Sequence, residues 1–130
     1  MNKYLRTVVV CLSVLLGNML FAGEVAQIKP EALLERAAKH DATLVILDVR
    51  TPQEFAEGHV PGARNIPHDQ LASRIAEVMG EKDKDIVLYC GRGKRAALAA
   101  DTLKANGFEK LLHLEGDMQK WTEDNRPIEK

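Results

Sequence analysis

Cys90 follows the apolar run Ile86-Val87-Leu88-Tyr89, opens the loop Gly91-Arg92-Gly93-Lys94-Arg95, and has an alanine-rich stretch directly behind it. A strand that stops at a cysteine, turns through two glycines among three cations and enters a helix sets a sulfur atom against a ring of unpaired backbone N–H groups. The amides and dipole at a helix start favour negative charge, and the flanking cations push the same way, so the thiolate is favoured over the thiol and Cys90 is expected to be a nucleophile. Burial as an inert small hydrophobe fits such neighbours poorly. Gly91 and Gly93 are of the type that lets backbone approach a ligand closely. Arg95, with its forked donors, suits paired anionic oxygens, while Arg92 and Lys94 raise the local positive potential; the plain alternative for each is a solvated surface cation.

Asp48 and Arg50 end another apolar run and are expected to pair with each other or with nearby backbone, bracing the site. His59, beside Gly58, is expected to be a hydrogen-bonded structural histidine, because a preformed thiolate needs no general base. His40, His68 and His113 show no spacing that suggests metal ligation, so neither a metal nor a cofactor is expected. Trp121 is expected in the core.

These residues need a scaffold, and the pattern around them supplies one. Val25–Ile28 is a short strand candidate, and Pro30 opens a helix over Glu31–Lys39 with Leu33 and Leu34 as core residues. Thr43–Leu47 is a continuous β-branched and aliphatic run, the mark of a strand covered on both faces and hence of a parallel sheet. Thr51-Pro52-Gln53-Glu54 has the pattern of a capping box and predicts a short helix through Glu57, stopped at Gly58. A brief strand is expected around Ala63–Ile66. Asp69 is positioned to cap a helix carrying Leu71, Ile75, Val78 and Met79 on one face, ended by Gly80. Asp85–Tyr89 reads as a strand, Ala96–Asn106 as a helix with Gly107 at its end, Leu111–Leu114 as a last strand, and Asp117–Thr122 as a short helix. Strands alternating with helices predict an α/β domain, a mainly parallel twisted sheet with helices on both faces. Ligands in such sheets bind beyond the carboxyl ends of the strands, where Cys90 lies.

The chain's 130 residues suffice for one domain. Lys3 and Arg6 precede an uncharged run from Thr7 to Ala22, which predicts an export signal over residues 1–22 and a domain over 23–130 in the periplasm; an uncleaved signal would be the only tie to a membrane. Without Lys3 and Arg6 the 18 basic residues fall to 16 against 19 acidic ones, a net charge of −3 that offers nothing to nucleic acid. The same cleavage removes Cys11 and leaves Cys90 without a partner for an internal disulfide, in a compartment where cysteines usually pair.

Leu47-Asp48-Val49-Arg50 with Glu54-Phe55, then Gly58-His59-Val60-Pro61-Gly62-Ala63-Arg64-Asn65-Ile66-Pro67, then Cys90-Gly91-Arg92-Gly93-Lys94-Arg95, together resemble the rhodanese (thiosulfate sulfurtransferase) domain. The resemblance covers nearly all of residues 25–128 and is similar to the small, single-domain exported rhodaneses of the phage-shock type. Leu114-Glu115-Gly116 followed by Trp121 also fits, except that the family often has a second glycine where this chain has Asp117, a departure expected to touch the turn after the last strand and not the cysteine loop. The resemblance implies that Cys90 attacks the outer sulfur of thiosulfate or a similar donor, carries it as a persulfide, and passes it to cyanide, a thiol or a protein thiol. Arg95, with Gly91, Arg92, Gly93 and Lys94, would bind the anionic donor. Related dual-specificity phosphatases have one residue more between cysteine and arginine, so the shorter loop favours sulfur over a phosphoryl group. An arsenate reductase or phosphatase, marked by turnover of a phenyl phosphate, is one alternative. A persulfide carrier or docking module for a partner protein, marked by a stable persulfide with slow turnover, is the other.

Overall fold

The computed structural model describes residues 24–130; the export signal expected over residues 1–22 lies outside the described residues. Along the chain run β1 (Ala26–Ile28), α1 (Pro30–Ala38), β2 (Leu44–Asp48), α2 (Pro52–Glu57), β3 (Arg64–Asn65), two short 3-10 turns (Ile75–Glu77 and Met79–Glu81), β4 (Asp85–Tyr89), α3 (Lys94–Ala105), β5 (Leu111–Leu114) and α4 (Asp117–Glu123). The five strands form one sheet in the order β1-β5-β4-β2-β3, every neighbouring pair parallel. This is the α/β architecture that the alternation of elements predicts. The chain steps outward from β2 to β3 and then returns to the other side of β2 as β4, so the carboxyl ends of β2 and β4 meet where the order of strands reverses.

Side chains alternate across a strand, and here the alternation sorts two apolar layers. Val45, Leu47, Val49, Ile86, Leu88 and Cys90 face the layer completed by Ala96, Ala99, Ala100 and Leu103 of α3. Ile46, Val87 and Tyr89 face the layer of Leu33, Met118 and Trp121, beneath α1 and α4. Helices therefore cover both faces, and Cys90 inherits its direction from the register of β4.

Local chemistry sets the helix ends. Pro30 occupies the first turn of α1, where a missing N–H costs nothing. Helix α3 closes with Gly107 at φ +87°, its N–H donating to the Lys104 carbonyl while Phe108 N–H donates to Leu103. Those two bonds, with Phe108 and Leu103 buried in one cluster, make a Schellman ending.

The helix expected after Asp69 does not form. Residues 68–84 wind as turns and 3-10 pieces, with i to i+3 bonds such as Glu77 to Arg74, Val78 to Ile75 and Glu81 to Val78. Ser73 Oγ donates to the Gln70 carbonyl at 2.9 Å, a local bond that competes with helix formation. Tighter winding keeps Leu71 and Val78 fully buried but turns Met79 out to 39% exposure, off the face on which an α-helix would have kept it. Of the four residues on the expected face, Leu71 and Val78 are buried, Ile75 is partly buried and Met79 is exposed, so the apolar spacing located part of the core but not the helix type.

Leu47 has no exposed surface and lies in β2, flanked by β3 and β4. Leu47→Ala is expected to lower unfolding stability by about 3 kcal/mol, read from urea denaturation, because a strand central to the sheet cannot collapse onto the vacated volume.

Candidate active site

Cys90 is the first residue beyond β4, and its Sγ accepts the Gly93 N–H at 3.0 Å. Gly93 sits at φ +116°, and a Cβ there would stand 3.2 Å from Asp117 Oδ2, so both conformation and space demand glycine. A Cβ at Gly91 would meet only the movable end of Arg95, at 3.3 Å. The expectation that Cys90 is not buried fails: the residue is 2% exposed. Its side chain points with Ile86 and Leu88 into the α3 layer, and the loop folds back until the Gly93 amide reaches the sulfur.

The start of α4 holds the other side of this loop. Asp117 Oδ1 accepts the Cys90 N–H at 3.0 Å, Met118 N–H donates to the Cys90 carbonyl at 3.0 Å, and Gln119 N–H donates to the Gly91 carbonyl at 3.1 Å. His113 Nε2 lies 2.9 Å and 3.0 Å from the two oxygens of the same carboxylate. Asp117, expected to affect only the turn after β5, is therefore joined directly to the cysteine loop. It adopts φ +53°, a conformation that suits glycine, with its side chain buried.

Arg95 presents its fork to a partner within the protein. Its two terminal nitrogens donate to the two oxygens of Glu54 at 2.7 Å and 3.1 Å. Glu54 also completes the capping box of α2, accepting from Thr51 while the Thr51 hydroxyl accepts the Glu54 N–H at 3.2 Å. The hydrogen bond from Arg95, helped by the bonds from Thr51 and opposed by burial, holds the Glu54 carboxyl at about 2 against an ordinary 4.5. Arg95 is raised in turn, chiefly by Glu54, with Cys90 adding to the effect. Arg92 and Lys94 are exposed on the loop.

Asp48 and Arg50 form a buried network at the end of β2. Arg50 Nε donates to both Asp48 oxygens at 3.0 Å and 3.1 Å, and its terminal nitrogen donates to Asp48 Oδ2 at 2.6 Å and to the Gly58 carbonyl at 2.8 Å. Tyr89 Oη donates to Asp48 Oδ2 at 2.7 Å and accepts the Val60 N–H at 3.0 Å. Burial, reinforced by the Asp48 charge, pushes the Tyr89 hydroxyl far up, so it stays a donor. His59 stacks on Phe55 with ring centres 3.6 Å apart, and its Nδ1 lies 2.8 Å from the Phe55 carbonyl. It braces the turn after α2. Among the described residues no group of three His, Cys, Asp or Glu side chains could hold a metal ion, and no helix is long and apolar enough to cross a membrane. A cavity of about 340 Å³ is lined by residues such as His40, Leu44 and Arg64 and by none from the cysteine loop.

Three contributors escaped the sequence reading: Tyr89, Glu54 as the partner of Arg95, and the Asp117–His113 pair. A tyrosine closing an otherwise aliphatic strand signals a hydroxyl that needs a buried partner. The i, i+4 spacing of His113 and Asp117 was visible too. The Glu54–Arg95 contact, spanning 41 positions, had no local signal beyond opposite charge.

A profile of the rhodanese-like domain family matches residues 29–124. A protein of Allochromatium vinosum named sulfurtransferase is 35% identical over 104 residues, covering 80% of this chain and 94% of that one. The Bacillus subtilis protein YqhL is 45% identical over 76 residues, covering 58% of this chain and 59% of YqhL, so the match spans less than two thirds of that relative's length. The crystal structure of a rhodanese-related protein from Thermoplasma volcanium aligns with a TM-score of 0.68 at 29% identity, over 80% of this chain and 97% of that one.

Tyr89→Phe strands the buried Val60 N–H and is expected to lower stability by about 2 kcal/mol in chemical denaturation. The depressed Glu54 carboxyl contributes stability that is fully present above its unfolded value of 4.5 and is lost as pH falls toward 2. The stability gap between the wild type and Glu54→Gln, measured by urea unfolding, should therefore be widest at neutral pH and close across that acid window.

Proposed function

Because this chain belongs to the rhodanese-like domain family, we propose that it is a sulfurtransferase that carries sulfane sulfur on Cys90, with thiosulfate as a donor. The observation that carries this reading is the seating of the sulfur: Cys90 Sγ lies at the floor of a six-residue loop with the Gly93 amide 3.0 Å away and Arg95 at its closing end. A cradle this short suits one added sulfur atom more than a phosphoryl group with three equatorial oxygens. A residue only 2% exposed also favours a small donor over an aryl phosphate.

The Cys90 thiolate attacks the outer sulfur of thiosulfate. An Sγ–S bond forms, the S–S bond of thiosulfate breaks, and sulfite leaves with the electron pair. Cyanide then attacks the terminal sulfur, a C–S bond forms, the Sγ–S bond breaks, and thiocyanate leaves as the thiolate is restored. No outside oxidant or reductant is consumed, and two half-reactions through one covalent intermediate give ping-pong kinetics. The Gly93 N–H is the donor already aimed at this sulfur, a fixed dipole for the negative charge that the persulfide carries. Arg92 and Lys94, exposed on the loop, draw the dianion in. Arg95 steadies the departing sulfonate, and Glu54 holds its fork in place beforehand. The protein thiols of a partner are a second class of acceptor for the same persulfide. Export to the periplasm, resting on the uncharged run Thr7–Ala22, is part of the same proposal.

Intact-mass measurement of the purified protein is expected to show a gain of one sulfur atom after thiosulfate, lost on adding cyanide with release of thiocyanate, and absent in Cys90→Ser. No gain while Cys90 is demonstrably a free thiol, or turnover of an aryl phosphate instead, would overturn the reading. Arg95→Ala is expected to raise KM for thiosulfate by about tenfold, the worth of one charge-assisted contact, while the protein remains folded by circular dichroism.

A further inference from the structure

We propose that Asp117 is a positioning residue for Cys90: its carboxylate, held by His113, fixes the cysteine loop so that the Gly93 amide stays on the sulfur. This rests on Cys90 being the atom that carries sulfur. Asp117 takes a backbone conformation that few residues other than glycine, Asn and Asp adopt. It follows Gly116, at φ +79°, with a φ of +53° of its own, two successive residues in the left-handed region. Strain of that kind persists where the surroundings over-determine it, and here what surrounds it is the reactive loop.

Three hydrogen bonds tie the two segments. Asp117 Oδ1 takes the Cys90 N–H, and the next two amides of the chain, Met118 and Gln119, donate to the carbonyls of Cys90 and Gly91. The second carboxylate oxygen stands 3.2 Å from where a Cβ of Gly93 would be. The carboxylate therefore stands beside both ends of the Cys90–Gly93 turn at once, one oxygen bonded to the backbone of the cysteine and the other filling the side on which Gly93, whose N–H meets Sγ, lacks a side chain. His113 Nε2 lies within 3.0 Å of both oxygens and sets their orientation. Neither side chain is within the Cys90–Arg95 loop, and the two act on the sulfur only through it.

The φ at position 117 makes the test clean, because glycine and asparagine accept it at least as readily as the aspartate they replace. Asp117→Gly keeps the backbone comfortable and deletes the acceptor. Asp117→Asn keeps an oxygen for the Cys90 N–H and removes the charge. Asp117→Gly is expected to lower kcat for thiosulfate and cyanide by about tenfold, with KM within about twofold, and to slow alkylation of Cys90 by iodoacetamide in step; Asp117→Asn should stay within about threefold of wild type in both assays. Wild-type kcat and alkylation in Asp117→Gly would overturn the proposal, as would an Asn variant as impaired as the Gly one. Faster alkylation in both variants would also overturn it, since the carboxylate would then be acting through its charge. Iodoacetamide reports on the sulfur whatever the natural donor is, so the alkylation series still reads the positioning role if the wild type proves to transfer no sulfur from thiosulfate.

Discussion

One wholly buried carboxylate, that of Asp48, holds the cysteine-bearing end of the sheet together. A buried charge is tolerated only when it is paired and its lone pairs are filled, and Asp48 meets both demands by recruiting Arg50 from the turn that follows it and Tyr89 from the adjacent strand. Burial works against the Arg50 charge, and the bonds and charge of Asp48 outweigh it. Through the other ends of those two partners the carboxylate reaches the Gly58 carbonyl and the Val60 amide, so the ends of β2 and β4 and the turn after α2 share one hydrogen-bonded junction. Cys90 is the next residue after Tyr89. The sulfur is thus mounted directly beyond this junction, and the conformational freedom of its glycines is confined to the few residues that follow it.

The loop itself is gripped from two directions. Helix α2 sends Glu54 to the fork of Arg95, and helix α4 sends Asp117 and two backbone amides to Cys90 and Gly91. Each grip uses a residue that also serves its own helix start: Glu54 closes the capping box of α2, and Asp117 is the first residue of α4. Helix ends expose unsatisfied amides, and in this molecule the ends of two helices are directed at the one loop where such amides and their partners matter.

The sequence disclosed what is decided within a few residues. The strand Asp85–Tyr89, the cysteine turn, the capping box at Thr51–Glu54 and the end of α2 at Gly58 all follow from neighbours along the chain, and the structure has them at those positions. The i, i+2 pairing of Asp48 with Arg50 belongs to the same class. What depends on the fold's geometry was hidden. The segment after Asp69 has helical spacing, yet it winds as 3-10 turns that keep only Leu71 and Val78 of its expected face in the core. Asp117 touches Cys90 across 27 positions, a distance over which neither residue type names the other. The enclosure of Cys90 was hidden for a related reason: its glycines and cations imply access, but strand alternation had already aimed the side chain at α3.

The two outermost strands of the sheet, β1 and β3, are also its shortest, with three and two residues. An exposed edge is a template on which another chain can add by backbone pairing, and its hazard grows with its length. Here the longer strands that carry the core and lead to Cys90 are flanked on both sides by brief ones, so among the described residues the rim offers few free amides and carbonyls to a second molecule. Crowded solutions of this protein should accordingly resist fibrillar self-association for as long as the sheet itself stays folded.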